Sequence, residues 1–568
     1  MKKEYVNADL VVFGGSLAGL AAAITAKEQD PQMDVLLVEK YFTGYAGKAN
    51  RGGGVFLWLN PEKEQTPEWM VDFQLNRMGR YLNDQVLLKE FWGSLNENLE
   101  QTDRWTGGKK FIRDENGKFI ARNREAEGFR WSLVNLDLDY LLEVRKYALK
   151  IGVRLLDRVG VVDILTDEGR CAGAVGYHIE DGTQYIFSAK AVVLATGSQN
   201  FRNAPMWAPG RGEGIAAAWR AGAEMTNCEF ASFYQWSTTE YFEPITLSDF
   251  DMYAADGTCI AKGHRTKYDP DVDSGTLCEW YIQNKKGNGP IRYLAPDANK
   301  RKSLGIGNIR PFADRFRATT VFNDIANKGS TEVIPFCIGE MGPVAVNNDF
   351  MTTIPGLFAA GDICYGGSHV AGAIPAPPGR TRGSGLPFAS FSGRKAGMAV
   401  PGYIAGKEAG RISSEQVNAS AQRMLAPLSR EGGCHPTDIS REVQRIMNSV
   451  GYVLFLKQER MEKALEITKG IKKRLRVMSA DDMHGAFAAN EAASAVLCLE
   501  LFLRAAMERK ESRSWFVRED FPEENPDFLK WIYAKKNGEN IELSFRDIPF
   551  DQYEFQPKRD DRYDEEVK

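Results

Sequence analysis

Histidine is scarce: the 568 residues hold five, His178, His264, His369, His435 and His484. Chemistry that needs imidazole therefore has few candidates. None of the eight cysteines forms a Cys-x-x-Cys pair, which excludes a zinc ribbon or an encoded iron–sulfur cluster. No run reaches the roughly 18 consecutive apolar residues that would span a bilayer. Charge of one sign is also missing, since the formal net charge is −4, and nothing points to nucleic acid. The first strand pattern begins within ten residues and leaves no room for a signal peptide, so a cytoplasmic location is expected. A chain of this length exceeds one core and divides into two to four domains.

What is present begins with Ala8-Asp-Leu-Val-Val-Phe-Gly-Gly-Ser-Leu-Ala-Gly19 and its Ala-rich continuation, followed by Asp34-Val-Leu-Leu-Val-Glu-Lys40. A β-branched run, a glycine turn and a small-residue helix predict a Rossmann-like βαβ unit that binds a dinucleotide. Gly14, Gly15, Ser16, Ala18 and Gly19 would face the pyrophosphate at the helix N-terminus, with Ser16 in place of the middle glycine. Glu39, 20 residues beyond Gly19, is placed to accept ribose hydroxyls, with Lys40 beside it. The loop from Gly44 to Gly54 is either a surface loop or backbone kept bare for a flat ring, with Gly47, Gly53 and Gly54 at the cofactor.

Helical patterns cover 67–78, 84–103 and 136–151, and Asn116-Gly117 marks a hairpin within 110–120. A strand meander starts at Val153, includes Val161, and closes on Ala195-Thr196-Gly197. A further helix starts at Gly212. Residues 226–330 lack a sustained period and suggest an inserted capping domain. Then Thr353-Ile-Pro-Gly-Leu-Phe-Ala-Ala-Gly361-Asp362 places a second carboxylate at a strand end. Ser384, Gly385 and Leu386 open a small-residue helix aimed back at the cofactor. From about 412 to 508 the pattern is helical, and the stretch from 535 reads as a charged tail.

Together these motifs resemble the flavoprotein superfamily of succinate dehydrogenase and fumarate reductase, which includes the α subunit of adenylylsulfate reductase. The resemblance spans most of the chain and implies an α/β fold of the two-dinucleotide-binding type. The FAD-binding domain would comprise 1–225 and 331–408, with a capping domain at 226–330, a helical domain at 409–530 and the tail at 531–568. It implies non-covalent FAD, because Lys40–Gly54 lacks the histidine that carries flavin in that family.

The dicarboxylate enzymes carry a histidine just before a Met-Gly-Gly turn, where Pro335-Phe-Cys-Ile-Gly-Glu-Met-Gly-Pro343 has Ile338; Thr276 stands where they have an arginine. Succinate and fumarate are therefore not the expected substrates. His369, in Tyr365-Gly-Gly-Ser-His-Val370, matches a substrate-facing histidine and would act as acid/base. Arg380 matches a carboxylate-binding arginine, with Arg382 as the alternative.

The expected activity is hydride exchange between FAD and a small organic substrate, such as an unsaturated carboxylate or an enone. Electrons would come from a ferredoxin-like iron–sulfur protein or a nicotinamide, and the absence of a second dinucleotide fingerprint favours the protein. The alternatives are a non-catalytic electron-transfer flavoprotein or an adenylylsulfate-reductase-like subunit.

Overall fold

The computed structural model describes residues 2–50, 55–126, 129–202, 209–231, 234–239, 251–261, 274–294, 330–337, 340–367, 384–514 and 516–558. Its central sheet uses β1 (Lys3–Phe13), β2 (Val35–Glu39), β3 (Arg154–Asp157), β4 (Val159–Asp167), β5 (Arg170–His178), β6 (Gln184–Leu194) and β7 (Leu357–Ala359). The order is β3-β2-β1-β6-β5-β4, with β7 also on β6. The strands from β3 to β6 run parallel in that order, and β6, β5 and β4 form the antiparallel meander. The end of β1 and all of β2 are buried, as their continuous apolar sequence requires.

One edge of β6 serves two partners. Its first half pairs antiparallel with β5, from Tyr177↔Gln184 to Gly173↔Ser188. Its second half pairs parallel with β7, from Val192↔Leu357 to Leu194↔Ala359. Strand ends belonging to the first, second and third sequence motifs therefore lie side by side.

Helix α1 (Leu17–Gln29) follows β1, and α2 (Glu213–Ala221) lies where Gly212 predicted it. Helix α3 (Gly385–Ile404) packs on α1 through small side chains, and α4 (Met483–Glu508) is the core helix of the C-terminal region. By length and composition α4 could cross a membrane, but 78% of its apolar window is buried inside the fold. It packs against the helices Pro436–Met447 and Gln458–Arg474.

Several boundaries differ from expectation. The helix expected over 67–78 is Pro67–Phe73 continued by a π-turn, Gln74–Met78. The helix expected over 84–103 is two helices, Gln85–Gly93 and Leu95–Trp105, meeting at Ser94. The turn at Asn116-Gly117 forms, with Gly117 at φ 78, yet only isolated bridges flank it.

Between 226 and 337 the described residues form an antiparallel sheet in the order Tyr234–Thr238, Ser330–Cys337, Arg292–Leu294, Asp251–Tyr253, Cys259–Ala261. Its strand Ser330–Cys337 carries this unit past the expected boundary at 330.

The charged tail requires a correction. Residues Lys530–Asn537 and Asn540–Asp547 form a β-hairpin whose first strand pairs with Met225–Thr226. Trp531 and Ile532 are buried, and the Trp531 indole donates to the Leu82 carbonyl at 2.8 Å. Burial of Trp531, Ile532 and Ala534 outweighs the surrounding charge.

Candidate functional site

Gly14, at φ 112, ends β1; a Cβ there would sit 2.2 Å from the Ala195 carbonyl oxygen. A Cβ on Gly19 would lie 1.8 Å from the Gly14 oxygen, so both positions require glycine. The Ala195 N–H in turn donates to the Phe13 carbonyl at 2.7 Å. Ser16 is the N-cap of α1 but makes no side-chain cap hydrogen bond, and it faces Gly47, where a Cβ would lie 2.7 Å from its Oγ. The first N–H groups of α1 point from this turn, as an anion site requires.

The Glu39 carboxylate accepts the Gly15 N–H at 2.6 Å and the Tyr41 N–H at 2.8 Å, one on each oxygen. Each oxygen keeps a lone pair for a further hydroxyl donor. Burial pushes this carboxyl above its ordinary value, and the two N–H donors partly offset that.

Lys40 pairs with Glu213 of α2, and with Glu491 of α4 at 2.6 Å. Burial alone would lower its pKa, but the two carboxylates outweigh burial and hold it above the usual lysine value. Val161 is buried on β4 at an irregularity in its pairing with β5. Its neighbour Gly160 approaches both Phe487 and the Lys40 side chain.

The second and third motifs meet the first directly. Thr196 places a buried hydroxyl, Oγ1, that has no hydrogen-bond partner among the described residues. Gly197, at φ 78, leaves the space beside it open. Gly361 abuts Ala18, and its N–H donates to Ser392 Oγ at 2.9 Å. Asp362 follows at the carboxyl end of β7, where open α/β sheets bind ligands. Ser384 opens α3 with its Oγ 3.4 Å from the Tyr365 hydroxyl; Gly385 and Leu386 begin the helix.

Of the predicted residues, Gly14, Gly15, Ser16, Ala18, Gly19, Glu39, Lys40, Gly47, Ala195, Thr196, Gly197, Gly361 and Asp362 converge at the adjoining ends of β1, β2, β6 and β7. Gly53, Gly54, His369, Arg380 and Arg382 lie outside the described residues. Sequence reasoning missed Lys48 and Glu340: Lys48 Nζ is 2.5 Å from Glu340 and 3.5 Å from Asp362, and Ser198 Oγ donates to Glu340 at 2.7 Å. It also missed Glu213 and Glu491, the partners of Lys40. The only signal was their position beside glycine motifs: Lys48 follows Gly47, and Glu340 precedes Met341-Gly342.

A family model described as "FAD binding domain" matches residues 9–376, and one described as "Fumarate reductase flavoprotein C-term" matches residues 440–562. The chain belongs to the FAD-binding flavoprotein family. One subunit of the CoM/CoB fumarate reductase of Methanothermobacter marburgensis is 23% identical, over 95% of this chain and 99% of its own length. The fumarate reductase flavoprotein subunit of Mycobacterium tuberculosis is 25% identical, over 90% and 92%.

Among solved structures, an E. coli quinol fumarate reductase chain superposes with TM-score 0.83 at 21% identity, covering 99% of both chains. Adenylylsulfate reductase of Archaeoglobus fulgidus gives 0.78 at 20% identity, covering 96% of both. The fold of this flavoprotein is theirs.

The flavoprotein is an FAD-dependent oxidoreductase. Its own residues fit the cofactor: the Thr196 hydroxyl, which bonds none of the described residues, the open face at Gly197 and the helix N-terminus at Ser16 are groups a dinucleotide would satisfy. FAD supplies the hydride and electron-pair chemistry when bound; the protein supplies position and charge.

Proposed function

We propose that this flavoprotein reduces an activated C=C bond of a small organic substrate, an unsaturated carboxylate or an enone. The observation that carries this reading is the end-to-end likeness to fumarate reductase subunits, which includes the C-terminal segment as well as the FAD-binding part. Glu39 would take the ribose hydroxyls, the N-terminus of α1 the pyrophosphate, and Thr196 and Asp362 further polar atoms of the cofactor. His369 would move the proton and Arg380, or Arg382, would hold the substrate carboxylate in a bidentate pair. Residues 226–337 would cover the substrate.

Electrons would arrive from a ferredoxin-like iron–sulfur partner, since the relatives are described as subunits. The likeness to adenylylsulfate reductase supports a second reading, a subunit fed by such a partner but acting on a different substrate. The test is an anaerobic titration of the purified protein with NADH and NADPH, followed by flavin absorption, and then a screen of unsaturated acids and enones. Bleaching only by dithionite or by a reduced ferredoxin supports the partner; bleaching by a nicotinamide excludes the need for one. His369→Ala is expected to keep its flavin and lose turnover, and unchanged turnover removes His369 from the mechanism.

A further inference from the structure

We propose that the Lys48–Glu340 ion pair sets the charge of the FAD site and thereby its affinity for the cofactor and its reduction potential. The inference rests on the FAD-binding reading of the β1, β6 and β7 strand ends. The glycine-rich loop that predicts close approach to a ring also places a cation. Lys48 begins a short 3-10 turn, Lys48–Asn50, and its ammonium reaches Glu340 with contacts of 2.6 and 2.5 Å to the two carboxylate oxygens.

Glu340 is held there by backbone. The pair Glu340–Met341 runs antiparallel to Gln199–Asn200, immediately after Ser198, whose hydroxyl bonds the same carboxylate. On the other side a Cβ at Gly342 would lie 1.8 Å from the Asp362 carbonyl oxygen, so the two chain segments are in contact. Glu340 is thus wedged between the ends of β6 and β7, and it is 1% exposed.

The charges decide the consequence. Lys48 is the cation on the buried Glu340 carboxylate and also lies 3.5 Å from Asp362, so its removal leaves this corner one unit more negative. The cofactor brings an anionic pyrophosphate. Its two-electron-reduced form carries one more negative charge than the oxidised form when a single proton accompanies the electron pair. A buried carboxylate stripped of its cation repels both, because the interior screens charge poorly. Removing Lys48 therefore weakens FAD binding and disfavours reduction, whereas neutralising Glu340 frees the lysine charge and favours both.

The experiment measures FAD retention, from the ratio of visible to protein absorbance, and the midpoint potential by equilibration with reference dyes. For Lys48→Met we expect at least tenfold weaker FAD binding. Its potential should be more negative by about 30 mV or more, which corresponds to a tenfold selective loss for the reduced form in a two-electron couple. For Glu340→Gln we expect retained FAD and a more positive potential, and for the double variant a return toward wild type. Lys48→Arg, which keeps the charge, should stay near wild type and covers the case in which Lys48→Met does not fold.

Shifts of the same sign in the two single variants, or loss of FAD with no change in potential, overturn the proposal. A wild-type protein that neither retains nor takes up FAD overturns the cofactor reading itself, before any variant is made.

Discussion

The Lys40 ammonium lies 2.6 Å from the Glu491 carboxylate, so the end of the second strand is tied to a helix 451 positions later in the chain. Glu213, on the helix that follows the second cofactor motif, shares the same nitrogen. Breaking such a pair from one side leaves buried carboxylates without a cation. Lys40→Met should cost about 3–5 kcal/mol, read as a lower denaturation midpoint by circular dichroism. A midpoint equal to wild type would show the pair to be passive.

The pH dependence of that pair follows from its two shifts. Burial pushes the Glu491 carboxyl up, but Lys40, Arg202 and Arg211 outweigh burial and leave it below the ordinary 4.5. Lys40 is held above its ordinary 10.5. A lowered acid contributes stability above its unfolded pKa and loses it as pH falls through the folded value; a raised base contributes below its unfolded pKa and loses it as pH rises through the folded value. The stability gap between wild type and Glu491→Gln should stay level from about pH 5 to about pH 10 and shrink below about pH 4.5. Denaturant titrations across that range measure it; a gap that widens in acid contradicts the assignment.

Thr196→Val removes a hydroxyl that bonds none of the described residues. The apoprotein should keep its stability, or gain slightly, since an unsatisfied buried polar group disappears. FAD affinity should fall roughly fivefold, the equivalent of about 1 kcal/mol for one hydrogen bond. Apoprotein melting and flavin titration separate the two effects, and unchanged affinity would remove Thr196 from the cofactor contacts.

Gly14→Val places a Cβ against the Ala195 carbonyl at a φ of 112. Strain of about 1–3 kcal/mol, plus the displaced backbone, should yield protein without bound flavin. Yellow protein with a wild-type flavin ratio would refute the close approach of the first and second motifs.

Arg509 is fully buried and donates to Glu229 at 2.9 Å, to Glu511 at 2.7 Å and to the carbonyls of Phe528 and Lys530. It joins the end of α4 to the C-terminal hairpin. Arg509→Met should lower stability by about 3–5 kcal/mol and loosen residues 528–547 before the rest. Hydrogen exchange checks the order; uniform loosening would show that the hairpin is held by other contacts.

Glycine spacing and continuous apolar strands made the cofactor half of this protein legible from its residues, because each motif is local: β1, the turn at Gly14 and α1 are one contiguous stretch. Lys48 and Glu340 were not legible. They are 292 positions apart, and a charged residue reads the same in sequence whether it is solvated or folded against a partner. The C-terminal hairpin was missed for a related reason. Ile541, Leu543 and Phe545 alternate as a strand should, but frequent charges around them hide the period. The split of 84–103 at Ser94 reflects tertiary packing that periodicity does not register.

The double pairing of β6 also fixes where novelty can be added. The chain leaves the sheet after Leu194 and returns at Leu357, and these departure and return points are stitched together by Val192↔Leu357 and Leu194↔Ala359. Between them lie groups that stay at the cofactor site, Thr196, Glu213 and Glu340, and the antiparallel sheet between 234 and 337. Changes confined to that antiparallel sheet leave the stitched strand ends in place, so one redox scaffold can be refitted for new substrates there without touching the groups that hold the cofactor.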